Sequence, residues 1–237
     1  MQKEQKARTI QNMFTNLAPH LDLFTRGFSL GLDQYWRKRG VRFSGIKPGD
    51  RVLDICAGTG ELAFILSRAV GNEGSIVGTD YCENMLELAR KKMGNKYSNV
   101  TFRFADATKT PFSDNTFDAV TVAYGMRNIP DTIAALKEIR RVLKPGGIFL
   151  CVELTEPQNR LFRAIYRWYS FRVMPFVSNL VIKTADPFVY LPRSIEEFHR
   201  PPVFTKLITD NDFSDVAVDS MTMGIATAFR AKKTSRK

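Results

Sequence analysis

The middle of the chain alternates two hydrophobic patterns. Short runs rich in β-branched and aromatic residues predict strands, whereas longer stretches with apolar residues three or four positions apart predict helices. Strands are predicted over residues 51–55, 75–79, 100–104, 117–122 and 148–153, and helices over 60–70, 83–93 and 131–143. Because strands joined by helical crossovers lie parallel, we expect an α/β protein with a doubly wound, mostly parallel Rossmann-like sheet.

Two further apolar runs lie near the end of the chain, and the length of the chain limits the number of domains. Residues 215–220 and 225–231 are separated by a short connection, which predicts an antiparallel hairpin on the edge of the sheet. The 237 residues fit one domain. Within it we expect an N-terminal helical segment over 1–50, a core over 51–153, a helical lid over 154–212, and C-terminal strands with a basic tail over 213–237.

Composition excludes several classes of protein. No stretch approaches the ~20 apolar residues that a membrane span needs, and the first ten residues lack the apolar centre of a secretory signal. Three scattered cysteines, Cys56, Cys82 and Cys151, do not suit a disulfide framework or a metal site, and there are only two histidines. We therefore expect a cytoplasmic protein that holds no metal.

The charge is strongly basic. Lys and Arg number 35 against 24 Asp and Glu, a formal net charge of +11, which favours an anionic partner such as nucleic acid or a lipid surface. On a helix, Arg160, Arg163 and Arg167 fall within about 60° of one another, and apolar residues cover the other side. This amphipathic helix either contacts an anionic bilayer or is a lid whose apolar side packs on the core. A break expected at Pro175 would let the residues after it form a second apolar wall, made by Phe176, Val177, Leu180, Val181 and Ile182.

A glycine-rich loop follows the first predicted strand. Gly58, Thr59 and Gly60 lie in a G-x-G-x-x-A pattern between a strand and a helix, the context in which such a pattern indicates a nucleotide-like ligand. The two glycines permit a tight turn and a close approach of the backbone to that ligand. Asp80, 20 residues beyond Gly60 at the end of the second strand, can accept hydrogen bonds from both ribose hydroxyls.

Carboxylates on either side of this loop indicate the charge of the ligand. Asp54 precedes the loop and Glu61 opens the helix, so the pyrophosphate of a dinucleotide would be repelled. S-adenosylmethionine carries a sulfonium and an ammonium group and no phosphate, which suits an acidic loop. The alternative is structural: Glu61 complements the helix dipole and Asp54 caps the turn.

Three later positions fit an adenine. Asp106 and Ala107 follow the third strand, where a carboxylate can accept from the exocyclic amino group and a backbone amide can donate to the ring. Met85, one turn into the helix after Asp80, can cover the adenine face. Turn chemistry and ordinary core packing are the alternatives for these positions.

The order and spacing of these segments resemble the class I S-adenosylmethionine-dependent methyltransferases over about residues 51–153. The matching segments are Val52-Leu-Asp-Ile-Cys-Ala-Gly-Thr-Gly60, Asp80, Asp106-Ala107, Phe117-Asp-Ala-Val120 and Leu143-Lys-Pro-Gly-Gly147. The segment Tyr124-Gly-Met-Arg-Asn-Ile-Pro-Asp131 is similar to a signature of the ubiquinone and menaquinone biosynthesis C-methyltransferases, which methylate a ring carbon of a polyprenyl quinol. Flanking segments, including Met13-Phe14 and Tyr190-Leu-Pro192, extend the resemblance over almost the whole chain.

The resemblance implies a single methyltransferase domain with S-adenosylmethionine as its cofactor. Thr59, Asp80, Asp106 and Ala107 are then cofactor contacts, and Ala123 lies in the same pocket. The segments over 1–50 and 154–212 would build the acceptor pocket, because they flank the core.

Two polar residues after the fourth strand are expected to face the acceptor. Arg127 would stabilise the negative charge of a phenolate, since its own pKa is too high for it to serve as a base, and Asn128 would orient a hydroxyl or a water. The alternative is a surface turn leading into the helix over 131–143.

The expected substrate is therefore a lipophilic quinol: demethylmenaquinol, 2-methoxy-6-polyprenyl-1,4-benzoquinol, or both. Peripheral contact with the inner face of the cytoplasmic membrane would follow from such a substrate. One alternative is a methyltransferase that acts on another small molecule. A second is a methyltransferase that acts on RNA, and the positive net charge favours this one. A third is a nucleotide-binding module without catalysis. We favour the quinol over nucleic acid, and the sequence leaves the oligomeric state open.

Overall fold

A seven-stranded sheet organises the protein. The computed structural model describes residues 21–176 and 186–235. The strands are β1 (Arg51–Ile55), β2 (Ser75–Asp80), β3 (Val100–Phe104), β4 (Phe117–Ala123), β5 (Leu143–Leu154), β6 (Phe213–Met221) and β7 (Ala226–Lys233). The described helices are α1 (Leu21–Phe28), α2 (Leu32–Ser44), α3 (Glu61–Val70), α4 (Glu83–Met93), α5 (Thr132–Val142), α6 (Arg160–Trp168), α7 (Asp186–Glu197) and α8 (Pro201–Asp210).

The strand order, β3-β2-β1-β4-β5-β7-β6, confirms the doubly wound sheet. β1 to β5 pair in parallel, while β7 pairs antiparallel with both β5 and β6. The predicted hairpin is therefore confirmed, with β7 inserted beside β5 and β6 on the edge. Because the five parallel strands share one direction, their carboxyl ends meet along one edge, where ligands bind in such sheets.

Both faces of the sheet are covered by helices. Successive side chains of a strand point to opposite faces, and in β1 the buried Val52 packs on one side and Leu53 on the other. Residues of α2, α3 and α4 complete the first core, and residues of α5 and α8 complete the second. Burial on both faces explains why these strands are almost continuously apolar in the sequence.

The predicted start of the fifth strand is wrong. The segment Lys144-Pro-Gly-Gly147 was expected to end a helix and precede a strand at 148, but β5 already begins at Leu143. Leu143 pairs with Phe117, and Ile148 pairs with Ala119, so the intervening residues form a bulge inside the strand. A proline and two glycines indicate a turn when read locally, whereas pairing with β4 on both sides of them keeps the strand together.

The expected break at Pro175 is also wrong. After α6 the chain forms a π-helical turn over Tyr169–Val173 and remains helical through Phe176. The N–H of Met174 donates to the Tyr169 carbonyl, five residues earlier, which makes this turn wider than an α-helical one. Such a turn accommodates Pro175, which has no N–H to donate. The apolar wall expected beyond it, at Val177, Leu180, Val181 and Ile182, lies outside the described residues.

Candidate active site

Carboxylates converge at the carboxyl edge of the parallel strands. Asp54 belongs to β1, Asp80 ends β2, Asp106 follows β3, and Glu153 lies near the end of β5. All four carboxylates lie near Cys56, the half-buried residue that follows β1. Desolvation raises the pKa of its thiol most, and the charges of the carboxylates raise that pKa further. Strands that are far apart in sequence thus build one acidic edge around the loop that follows β1.

The glycine loop adopts the predicted tight turn. Gly58 has φ 54° and Gly60 has φ 86°, a left-handed conformation that favours glycine. A Cβ at Gly60 would lie 2.8 Å from the ring of Phe102 and 2.9 Å from that of Phe64, so this glycine permits close packing. A Cβ at Gly58 would meet no atom within 4 Å, so this glycine borders open space in which a ligand can approach the backbone.

Asp80 organises both sides of that space. Its Oδ2 accepts a hydrogen bond from the Gly58 N–H at 2.8 Å, and its Oδ1 accepts one from the Cys82 N–H at 2.9 Å. Burial raises the pKa of Asp80, and these backbone hydrogen bonds act in the opposite direction. The backbone of Tyr81 is a third hydrogen-bond partner of this carboxylate, and a carboxylate has about four lone-pair sites, so Asp80 keeps acceptor capacity for the ribose. That contact stays a prediction.

Asp54 is the buried carboxylate with an unsatisfied oxygen. It is 1% exposed, and its Oδ1 accepts a hydrogen bond from Thr121 Oγ1 at 2.8 Å. Its Oδ2 is buried without a partner. Leaving such an atom unsatisfied is costly, and an ammonium group or an ordered water donating to it would remove that cost. The unsatisfied oxygen fits a cationic ligand such as S-adenosylmethionine, and that contact stays a prediction.

The buried carboxyl group should make stability depend on pH. Burial raises the pKa of Asp54 to about 7, whereas an aspartate in an unfolded chain titrates near about 4. Between those values the folded protein holds a proton that the unfolded chain has released. Asp54 should therefore lower the free energy of unfolding as pH rises from about 4 to about 7, by up to about 4 kcal/mol.

Urea unfolding of the wild type and of Asp54→Asn over this pH range measures the effect. Asparagine keeps an acceptor for Thr121 and does not titrate, so the variant should gain stability relative to the wild type as pH rises. A difference in stability that stays constant with pH would contradict the assignment.

Contrary to the expectation from the sequence, Glu61 adds no free negative charge to the acidic edge. Its carboxylate accepts hydrogen bonds from Arg26 at 3.1 Å, from Lys92 at 3.0 Å and from Gln34 at 2.7 Å. Two cations therefore neutralise it. The negative charge available to a ligand comes from Asp54, Asp80 and Asp106 instead.

Helix α1 lies against the glycine loop, a contact that the sequence did not predict. Asp22 accepts a hydrogen bond from Thr59 Oγ1 at 2.7 Å and forms an ion pair with Lys92 of α4, while Arg26 pairs with Glu61. Thr59, expected as a cofactor contact, is buried beneath this helix. These partners are dozens of residues apart in sequence, so no local pattern could indicate them.

The other expected cofactor contacts lie along the same edge, and their roles stay predictions. Met85 is buried beside Cys82. Asp106 is exposed, and its Oδ1 accepts hydrogen bonds from the N–H and the hydroxyl of Thr108, each at 2.7 Å. Ala107 is half-buried just after it, and Ala123 is half-buried at the end of β4.

Sequence reasoning missed an aromatic pair beside Asp80. Tyr81 and Phe104 are about half exposed, and their ring centroids lie 5.1 Å apart. Aromatic residues beside the carboxylate that we expect to bind the ribose offer a face on which an adenine can stack. The signal was a tyrosine directly after the acidic residue that ends β2.

Arg127 is held in a buried ion pair. It lies in a short 3-10 helix over Met126–Asn128, and its Nη1 donates to Glu153 Oε1 at 2.5 Å and to the Tyr124 carbonyl at 2.6 Å. The Arg127 side chain is 6% exposed and that of Glu153 is 0% exposed. The alternative of a solvated surface turn is therefore wrong. The guanidinium has a carboxylate partner already, and its contact with an acceptor stays a prediction.

Asn128 links the same edge to the segment after β5. Its Oδ1 accepts a hydrogen bond from the Tyr190 hydroxyl at 2.8 Å, and Arg127 Nε donates to Ser194 Oγ at 3.3 Å. Both partners belong to α7, so part of the predicted lid packs on the predicted acceptor residues. Burial raises the pKa of Tyr190, which keeps its hydroxyl protonated at neutral pH.

Two further results concern metal sites and membrane spans. Within residues 21–176 and 186–235, no cluster of three or more His, Cys, Asp or Glu side chains is arranged to hold a metal ion. None of the helices in these ranges is long and apolar enough to cross a membrane.

This sheet order, with a glycine turn and an acidic edge at its switch point, defines the class I methyltransferase fold. A S-adenosylmethionine-dependent methyltransferase from Aquifex aeolicus superposes with a TM-score of 0.63 at 20% identity, covering 94% of this chain and 97% of that one. A putative methyltransferase in complex with the Haloferax volcanii Trm112 activator gives a TM-score of 0.67 at 19% identity, covering 94% and 98%.

The particular family follows from closer relatives. The chain belongs to the ubiE/COQ5 methyltransferase family, whose profile matches residues 1–233. It is 36% identical over 235 residues to the ubiquinone/menaquinone biosynthesis C-methyltransferase UbiE of Shewanella sp. (strain W3-18-1), covering 98% of this chain and 94% of that one. The demethylmenaquinone methyltransferase of Staphylococcus saprophyticus is 36% identical over 221 residues, covering 93% and 94%. The predicted resemblance is confirmed, and with it a S-adenosylmethionine-dependent C-methyltransferase.

Proposed function

We propose that this protein transfers the methyl group of S-adenosylmethionine to a ring carbon of a polyprenyl quinol, namely demethylmenaquinol, 2-methoxy-6-polyprenyl-1,4-benzoquinol, or both. The observation that carries the proposal is the acidic edge around Gly58: the glycine itself borders open space, Asp80 accepts from its N–H, and the nearby Asp54 has a buried oxygen that is left unsatisfied. The relatives named for methylation in menaquinone and ubiquinone synthesis support the choice of acceptor.

The chain itself contributes charge, position and exclusion of water. When bound, S-adenosylmethionine supplies an electrophilic methyl group on a sulfonium. Asp54 and Asp80 can accept hydrogen bonds from such a ligand, and a bound cation would favour their ionised forms, which burial alone disfavours. A dry pocket that holds an electron-rich ring carbon close to the methyl group gains most of its rate from orientation.

Asn128 and Tyr190 are the residues best placed to orient the quinol. Their side chains are hydrogen-bonded to each other at the carboxyl edge of the sheet, next to the end of β4. The Tyr190 hydroxyl donates its proton to Asn128 Oδ1 and so orients the Asn128 amide, whose NH₂ can donate to a phenolate oxygen of the quinol. Arg127, with its charge balanced by Glu153, holds this wall in place through Ser194.

Methyl transfer from S-adenosylmethionine labelled in the methyl group tests the proposal. Demethylmenaquinol, the methoxy-polyprenyl-benzoquinol and total RNA are offered separately, and label should appear in the ring of at least one quinol. Mass spectrometry of the product distinguishes a methyl on carbon from one on oxygen. Label recovered only in RNA, or on a quinol oxygen, would contradict the proposed function.

A further inference from the structure

Two arginines of helix α6, Arg163 and Arg167, contact the protein. Arg163 Nε donates to the Pro157 carbonyl at 2.8 Å, and its Nη2 donates to the Gln158 carbonyl at 3.0 Å. Arg167 forms ion pairs with Glu156 and with Glu196 of α7. These contacts fix the rotation of the helix about its axis, so the side opposite to these two arginines faces outwards.

The outward side is apolar, and its large side chains are exposed in the part of the chain that the structure describes. No residue of α6 is buried. Leu161, Ile165 and Trp168 are spaced four and three residues apart, which places them in one row along the helix. Leu161 is 71% exposed, Ile165 53% and Trp168 64%, and Phe176 beyond the π-helical turn is 72% exposed. Of the two alternatives for this helix, packing of the apolar side on the core does not hold for these residues.

Cations accompany this apolar row. Arg160 and Arg172 are exposed, and neither forms an ion pair with another described residue. The segment over 160–176 contains four arginines and no acidic residue. We call the surface made by Leu161, Ile165, Trp168 and Phe176, with Arg160 and Arg172, the outer ridge.

We propose that the outer ridge docks on the interfacial region of an anionic lipid bilayer. Exposed apolar side chains with a tryptophan, accompanied by exposed arginines, match the boundary between acyl chains and phosphate headgroups. A second copy of the chain is a poorer occupant, because two ridges facing each other would bring arginines together with no carboxylate to balance them.

The ridge is connected to the acceptor edge of the sheet. Arg167 joins α6 to Glu196 of α7, and Tyr190 of the same helix donates to Asn128. Docking would therefore place the bilayer beside the residues that we expect to face the quinol. The position of the quinol beside the bilayer rests on the proposed function, whereas lipid binding itself can be measured without any substrate.

Sedimentation with vesicles tests the ridge directly. The full chain is mixed with vesicles of phosphatidylcholine alone or of phosphatidylcholine with phosphatidylglycerol, at low and at high salt. The wild type should pellet with the anionic vesicles and be released by salt. The triple variant Leu161→Ser, Ile165→Ser and Trp168→Ala should lose this binding. Its control is Ile133→Ser with Val203→Ser, which changes exposed apolar residues on α5 and α8 and should leave pelleting unchanged.

A second variant, in which two arginines lose their charge, measures the electrostatic contribution to vesicle binding. Arg160→Gln with Arg172→Gln should weaken binding to anionic vesicles about fivefold per arginine removed. The control Lys91→Gln with Lys137→Gln removes the same net charge from exposed positions on α4 and α5 and should have little effect.

Fluorescence reports the contact without pelleting. The protein has two tryptophans, Trp36, which is 3% exposed, and Trp168. Anionic vesicles should shift the emission of the wild type to shorter wavelength, and Trp168→Phe should abolish that shift.

Two results would overturn the proposal. One is pelleting of the triple variant equal to that of the wild type. The other is a wild-type dimer in the absence of lipid that the triple variant dissociates, which would make the ridge a contact between copies. Methylation of a short-tailed, water-soluble quinol by the triple variant shows separately whether the proposed function holds, because that substrate needs no bilayer.

Discussion

Replacing Asp80 with alanine should weaken the binding of S-adenosylmethionine at least tenfold. The Asp80 carboxylate accepts from the backbone of Gly58 on one side and of Cys82 on the other, and its remaining lone pairs point to two ribose hydroxyls by our prediction. A hydrogen bond to a charged group contributes about 1.5–3 kcal/mol, so two of them exceed the ~1.4 kcal/mol that corresponds to a factor of ten. Methyl transfer should fall with cofactor binding.

Calorimetric titration of S-adenosylmethionine measures this loss. Asp118→Ala is the matched control, because Asp118 is a carboxylate near the amino end of β4, at the opposite edge of the sheet, where it accepts from the Arg51 N–H and pairs with Lys144. That variant should bind the cofactor as the wild type does. An Asp80→Ala protein with a normal circular dichroism spectrum and an unchanged dissociation constant would remove Asp80 from the site.

Replacing Arg127 with alanine should lower the free energy of unfolding by about 3–5 kcal/mol, because it leaves the fully buried Glu153 carboxylate without its cation. Urea unfolding measures the change. Lys206→Ala is the control, since it breaks an exposed ion pair with Asp210 one helical turn away and should cost far less. A midpoint of unfolding for Arg127→Ala equal to that of the wild type would contradict the importance of the buried pair.

The double variant Arg127→Met with Glu153→Leu separates stability from chemistry. Replacing both members of a buried pair with apolar side chains of similar size removes the lone charge, so most of the lost stability should return. If Arg127 touches the acceptor, this stable protein should still bind S-adenosylmethionine but turn over the quinol more slowly. Normal turnover by the double variant would make Arg127 a purely structural residue.

The Arg127 pair illustrates the limit of the sequence as a guide to the site. Tyr124-Gly-Met-Arg-Asn128 indicated that polar residues follow the fourth strand, and they do. The sequence did not reveal that Glu153, 26 residues later, neutralises Arg127. One signal was available: a lone carboxylate within the apolar strand Phe149-Leu-Cys-Val-Glu153 has to be paired where it is buried.

The sequence by itself determined the sheet and the position of the site along it. Apolar periodicity identified each parallel strand, and the glycine pattern followed by Asp80 located the loop, because strand period, turn geometry and helix spacing are local properties. The failures near 144–147 and at Pro175 have the same origin: a local turn signal was overridden by pairing with β4 in one case and by a π-helical turn in the other.

Only the tertiary structure decided which charges are available. Glu61 is neutralised by residues of α1 and α4, Asp54 is left with an unpartnered oxygen, and α6 turns its paired arginines inwards and its apolar row outwards. The physical reason is that a charge is defined by what lies within a few ångströms of it, and those neighbours come from segments dozens of residues away that only folding brings together.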